Sequence, residues 1–329
     1  MDELAIIDIG PLLVGDRSAH ARVDAAIGDA IERCGGFVVC GYPHSDMVDQ
    51  WATTMLRFYD LTDHAKRSVA ARITEPQGEV VYRGYRSSLF PGEWAYNEMF
   101  DIGPGEPFPA PPVPGMEVFA ERNIWPEPEP CAGWQAAMES FYALMHEVGT
   151  AVMLAAGRWA GFDDADLLAR FSTGNSTLRL LNYPVRPEGF PVDPAIEFVD
   201  GRPVSAIRHT DVAGVSLLWQ RQPGLQAEAP DGTWRDVPLV DNAISVHLGT
   251  VLQVMTHGRV RATPHRVVDH GVHRQSVAFF AEPGLGSSLA PLADTVDPDL
   301  TLTYGWHLQK KYHRSRGYEA LVPEPVLPG

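Results

Sequence analysis

Cysteine is scarce in this chain. Cys34, Cys40 and Cys131 are all it has, and no two form a Cys-x-x-Cys pair. An odd, sparse set excludes a disulfide framework and reads as reduced thiols in a cytoplasmic protein. Long apolar runs are also missing: none approaches the roughly 18–20 residues of a membrane span. The start, Met1-Asp2-Glu3, has no basic region ahead of an apolar run, so no signal peptide is expected. Basic residues run short too, with 26 Lys and Arg against 42 Asp and Glu, a net charge of −16. That balance argues against nucleic acid or an anionic lipid surface as partner. Internal repeats and low-complexity segments are absent. What remains is ordinary: 329 residues, 45% hydrophobic and 21% charged, enough for a sizeable core. Oligomeric state is not legible at this level.

The first half reads as helices with a few short strands. Ala5 to Ile9 form a strand ending at Gly10-Pro11. Ser18 or Asp16 caps a helix that ends at Gly35-Gly36, and Phe37 to Cys40 are a buried strand. His44-Ser45-Asp46 lies in a turn, with Ser45 or Asp46 as N-cap of a helix over Val48 to Tyr59. Val80–Leu89 and Glu93–Gly103 have strand-like bulk. Nine prolines between Pro104 and Pro130 predict an extended, irregular segment that either rims a pocket as a lid or simply wraps the fold. Trp134 to Trp159 is the longest helical pattern, with Met138, Phe141, Met145, Val148 and Val152 on one face. Asp163 or Asp164 opens a further short helix.

From Thr177 the period changes to two. Thr177, Arg179, Leu181 and Tyr183 share one face, and Pro184 closes that strand. Val215–Trp219, Ile244–Leu248, Val251–Met255, His265–Val268 and Arg274–Phe280 read as further strands, with a hairpin turn at Pro230-Asp231-Gly232. Short strands with Gly and Pro punctuation predict a sandwich or double-sheet jelly roll. Asp299 to Arg316 reads as a helix, and residues 323–328 as a frayed tail. Helices followed by strands predict helices packed around one curved sheet system.

The chemistry concentrates in two stretches, Ile207-Arg208-His209-Thr210-Asp211 and Thr263-Pro264-His265-Arg266. On a strand, positions 209 and 211 point the same way. A second imidazole from a partner strand then completes a three-ligand face for a metal. Two histidines and one carboxylate with open positions are the donor set of non-haem Fe(II) oxygenases. A structural zinc site would be closed by a fourth ligand, often cysteine, and none lies near here. His44 and Asp46 repeat the His-x-Asp spacing in a turn, which shows how weak that pair is alone. Nine residues past His265, Arg274 and Ser276 share a strand face and suit a carboxylate. Tyr183 can add a phenolic hydroxyl. Candidate substrate residues are Arg86, Tyr85, Asn97 and Arg179, and the two arginines point to an anionic group on a small molecule.

These motifs resemble the 2-oxoglutarate and Fe(II)-dependent dioxygenase superfamily, in its isopenicillin N synthase-like branch. The residues that carry the likeness are Ile6-Ile7-Asp8-Ile9, Gly36-Phe37-Val38-Val39, Phe100-Asp101-Ile102-Gly103, Asn182-Tyr183-Pro184, His209-Thr210-Asp211, Thr263-Pro264-His265-Arg266-Val267 and Arg274-Gln275-Ser276. The resemblance implies one oxygenase unit over 1–329, mainly β with packed helices. Its parts would be an N-terminal helical and α/β portion (1–175), a distorted double-stranded β-helix core (176–285) and a C-terminal helix (299–316). It further implies Fe(II) on His209, Asp211 and His265, 2-oxoglutarate held by Arg274, Ser276 and Tyr183, and O2 as co-substrate. Hydroxylation, desaturation and ring closure all stay open. The chain departs from the family pattern at His247 and Thr250, where Asn and Asp are common, and at Leu181, where Asn often stands. Two other functions compete: an isopenicillin N synthase-like oxidase that needs no 2-oxoglutarate, and a non-catalytic binding protein on the same fold.

Overall fold

The alternation that begins at Thr177 builds the middle of a large sheet, and the earlier segments attach to its two sides. The structure is a computed structural model that describes residues 3–14, 17–93, 95–105, 115–172, 174–291 and 303–325. The strands are β1 (Ile6–Asp8), β2 (Gly36–Cys40), β3 (Gly84–Ser87), β4 (Glu98–Ile102), β5 (Thr177–Tyr183), β6 (Phe198–Val199), β7 (Arg202–Pro203), β8 (Ala206–His209), β9 (Val215–Gln220), β10 (Leu225–Glu228), β11 (Trp234–Asp236), β12 (Ile244–Leu248), β13 (His265–Val267) and β14 (Arg274–Ala281). The helices are α1 (Gly10–Leu13), α2 (Arg17–Cys34), α3 (Ser45–Met55), α4 (Asp63–Arg67), α5 (Trp134–Trp159), α6 (Asp164–Phe171), α7 (Thr250–Met255) and α8 (Tyr304–His313).

Eight strands form the main sheet in the order β1-β2-β12-β9-β14-β5-β4-β3, and a second sheet runs β11-β10-β13-β8. Each of the two faces of the main sheet covers its own core. Against α5, Phe141, Met145, Val148 and Val152 pack on Leu178, Leu180, Leu217, Val277 and Phe279. Between the sheets, Leu181, Leu218 and Ala278 meet Leu225, Ala227 and Val267. The two sheets, antiparallel except for the parallel β1–β2 pair at one edge, face each other around a shared interior and form the jelly roll that the period-two pattern predicts. No helix of the described residues is long and apolar enough to cross a membrane.

Several local expectations need correction. Val251–Met255 is not a strand but helix α7, with Val251, Leu252 and Met255 buried on one side. Its β-branched content imitates a strand, while the 251/252/255 spacing is helical. The helix expected over Val48–Tyr59 starts at Ser45 behind His44, which takes a left-handed φ of 58° and gives no side-chain cap. It finishes as a 3-10 turn over Leu56–Asp60. Ser18 falls inside α2, and Asp16 lies outside the described residues. The expected 299–316 helix is α8, capped by the Thr303 side chain. Residues 106–114 of the proline-rich stretch, 299–302 and 326–328 lie outside the described residues.

Candidate metal centre and its pocket

β8 and β13 pair with His209 directly opposite His265, so the two imidazoles leave neighbouring strands side by side. Their ring centroids are 4.3 Å apart. Asp211 is not on the strand, which ends at His209, so strand alternation does not explain its direction. The turn after β8 is held instead by Thr250, whose backbone N–H donates to the Asp211 carbonyl oxygen. The Ser216 hydroxyl of β9 donates to Asp211 Oδ2 at 2.6 Å. With that support, one donor atom from each of His209, Asp211 and His265 lies within 4.8 Å of the others.

The donor chemistry fits a divalent metal. His209 Nδ1 is 2.7 Å from the Ile207 carbonyl and His265 Nδ1 is 3.1 Å from that of Thr263. Those carbonyls accept the Nδ1–H, so both lone pairs sit on Nε2, on the side of Asp211. The Nε2 atoms stand 3.6 and 3.5 Å from the two Asp211 oxygens. Burial acts to raise the Asp211 pKa, but His265, His209 and the Ser216 hydroxyl outweigh it and hold it to about 2. Burial lowers His265 to about 4. Near neutral pH the trio therefore offers a carboxylate and a free imidazole base. His265 is buried and His209 half-open, so approach is from the His209 side.

Across the interior, β14 lays Arg274 opposite Tyr183 and Ser276 opposite Leu181 on β5. Arg274 is 4% exposed and no acid pairs with it among the described residues. Its guanidinium donates to Ser276 Oγ at 3.1 Å and Gln220 Oε1 at 2.8 Å, it lies over the Tyr183 ring, and its Nε has no partner. Burial pulls its pKa down. A buried guanidinium facing only neutral groups is costly until an anion arrives. The carboxylate end of a dicarboxylic keto acid would meet that need.

The four candidate substrate residues separate. Tyr85 donates to Glu98 Oε1, which also takes Lys66, on the face away from the metal. Arg86 is buried, paired to Asp101 and hydrogen-bonded to the Tyr318 hydroxyl at 2.9 Å. Asn97 is buried beside the Tyr183 phenol, its side-chain oxygen without a partner. Arg179 alone lines the cavity that reaches Asp211, together with Thr177, Phe280, Glu282, Lys311 and Tyr312. Gln220, Ser216, Glu282 and Lys311 were not anticipated from sequence. Ser216 and Gln220 carry a signal after the fact, since both are polar residues on the inward face of an apolar strand. Glu282 and Lys311 carry none, because only the folded chain brings α8 beside β14.

The comparisons with known proteins bear on the family and the fold. The profile of the 2OG-Fe(II) oxygenase superfamily matches residues 175–283. Isopenicillin N synthase of Streptomyces clavuligerus is 31% identical, with 92% of each chain covered. The 2-oxoglutarate-dependent dioxygenase citB of Monascus ruber is 27% identical over 94% of each. Among solved structures, a full-length Neurospora crassa protein in complex with alpha-KG shares the fold with a TM-score of 0.73, at 24% identity, covering 93% of this chain and 94% of that one. The chain belongs to the 2OG-Fe(II) oxygenase superfamily, in its isopenicillin N synthase-like branch, and is a non-haem Fe(II) and 2-oxoglutarate-dependent dioxygenase.

Proposed function

We propose that His209, Asp211 and His265 hold Fe(II), that Arg274, Ser276 and Tyr183 hold the far carboxylate of 2-oxoglutarate, and that the enzyme hydroxylates, desaturates or cyclises a small-molecule metabolite. Bound iron with 2-oxoglutarate and O2 supplies the oxidising power, releasing succinate and CO2. The chain's own part is placement. Ser216 keeps Asp211 turned toward the two imidazoles, and the backbone carbonyls of Ile207 and Thr263 fix the imidazole rings. Gln220 fixes the Arg274 fork. Arg179 supports an anionic group on the substrate, whereas Arg86 and Tyr85 serve buried hydrogen-bond networks. The observation that carries this reading is the buried Arg274, facing only neutral partners on the same interior as the three donors.

Anaerobic titration of the Fe(II)-loaded protein with 2-oxoglutarate tests it. A visible charge-transfer band should develop, and Arg274→Gln should weaken 2-oxoglutarate binding about thirtyfold, the loss of about 2 kcal/mol of charge-assisted bonding. Absence of the band would remove the 2-oxoglutarate assignment. The 31% identity to isopenicillin N synthase favours one second reading, an Fe(II) oxidase that uses Arg274 and Ser276 on its substrate. Substrate-dependent O2 uptake that is indifferent to 2-oxoglutarate would select it.

A further inference from the structure

We propose that Arg179 and Lys311, closed by Tyr312 of α8, form a recognition subsite for one carboxylate group of the substrate, so that the C-terminal helix selects monoanionic molecules. The inference rests on the oxygenase reading above and adds the substrate's chemical class. Its first support is a charge imbalance. Arg179 donates to both Asp101 oxygens, Nε to Oδ1 and Nη2 to Oδ2, each at 2.8 Å. Arg86 donates to Asp101 Oδ2 as well. Two guanidiniums thus share one carboxylate, and the three side chains are only 22%, 10% and 1% exposed. One positive charge is left over in a half-dry place, where it favours an incoming anion.

The other charges around the cavity do not cancel it. Glu282 accepts from Thr177 and Tyr304, the same Thr177 hydroxyl takes a bond from the buried Arg83, and this acid lies within the fields of both Arg83 and Lys311. Asp211 belongs to the metal trio. Lys311 enters from α8 as an exposed side chain, lines the cavity and lies near the Tyr312 ring. The cations Arg83, Arg86, Arg179 and Lys311 therefore face the anions Asp101, Glu282 and Asp211, one positive charge in excess around the cavity.

Size and donor count narrow the anion. The cavity measures about 70 Å³. Of the Arg179 guanidinium, only Nη1 remains free of a protein acceptor, and Lys311 Nζ supplies the second donor. Two donors on a small space match a planar carboxylate better than a hydrated dianion. The rest of the substrate then lies toward Asp211, because the same cavity touches both.

The test uses holoenzyme: Fe(II) and 2-oxoglutarate without O2, challenged with hexanoic, benzoic and phenylacetic acids and the primary amide of each. Binding is read from tryptophan fluorescence and from displacement of the visible band. At least one acid is expected to bind roughly tenfold tighter than its amide, the ratio of one modest charged contact. Lys311→Gln should bring that acid to the level of its amide, and Lys311→Arg should keep the preference. Equal binding of acids and amides, an acid preference that survives Lys311→Gln, or no response to any of the six would overturn the subsite. If the 2-oxoglutarate band itself never forms, the oxygenase reading falls and takes this inference with it. A band without acid preference sinks the subsite alone.

Discussion

His247 is the unusual residue beside the centre. It is fully buried on β12, neither ring nitrogen has a hydrogen-bond partner, and its ring stands edge-on to His265 at 4.5 Å. Burial, with the neighbouring His265 imidazole adding to it, drives its pKa well below the ordinary value. His265 is lowered to about 4 by the same burial. The consequence for metal-free protein follows from linkage. Between the unfolded value near 6.5 and about 4, the unfolded chain binds protons at these histidines that the folded chain refuses. Stability is therefore complete above about pH 6.5 and is lost as pH falls toward 4. Asp211 acts in the same direction but lower, between the ordinary carboxylate range and about 2. Urea midpoints with chelator at pH 7 and pH 5 should show the loss, and His247→Asn should make the pH dependence shallower. An unchanged slope in that variant would mean that His247 takes up its proton in the folded state.

At the scale of elements, α5 shows what helical spacing can and cannot say. Its 26 residues were legible to both ends because apolar positions from Met138 to Val152 repeat at three- and four-residue steps. Its glycines were not interpretable without the fold. A Cβ at Gly149 would meet Ala281, Leu217 and Val215 at 3.4–3.8 Å, ordinary contact distances. Gly149→Ala should then stabilise the protein by about 0.5–1 kcal/mol through helix propensity, seen as a raised urea midpoint. Gly28 of α2 is the opposite case, since its Cβ would lie 2.0 Å from the Trp159 indole. Gly28→Ala should cost about 1–3 kcal/mol as overpacking, and a midpoint at or above the parent's would contradict that packing. Sequence also erred where a local signal was shared. Val251–Met255 satisfies strand composition and helix spacing together, and the deciding factor was the tertiary position of Gly249 against Gly214 and of Thr250 against Asp211. The metal trio was legible because donor chemistry is written in residue type, whereas the strand under Asp211 was an inference about shape. Arg86 and Arg179 looked alike in the sequence and share Asp101 in the fold, and only the cavity wall, which includes Arg179 and not Arg86, tells them apart.

For the whole molecule, the question is whether the N-terminal portion (1–175) and the core (176–285) are separable. The hydrogen-bond ladders argue that they are not. β2 from the N-terminal portion pairs with β12 of the core through four residues, and β4 pairs with β5 through five. A fragment of residues 176–285 would expose both of those strands as bare edges, and it would strip α5 from β9 and β14. Edges and apolar faces of that kind drive association rather than folding. The fragment is expected to aggregate or to lack native circular dichroism. The intact chain should unfold in one transition, with tryptophan fluorescence and far-ultraviolet circular dichroism giving the same midpoint. Amide exchange offers the finer check, because β2 and β4 should be protected as strongly as β9 and β14 if the sheet opens as a unit. Early loss of protection in β2 and β4, with β9 and β14 still closed, would mean that the interior with the candidate metal trio can stand without the N-terminal strands. Truncation to the core would then become a workable route to a smaller oxygenase.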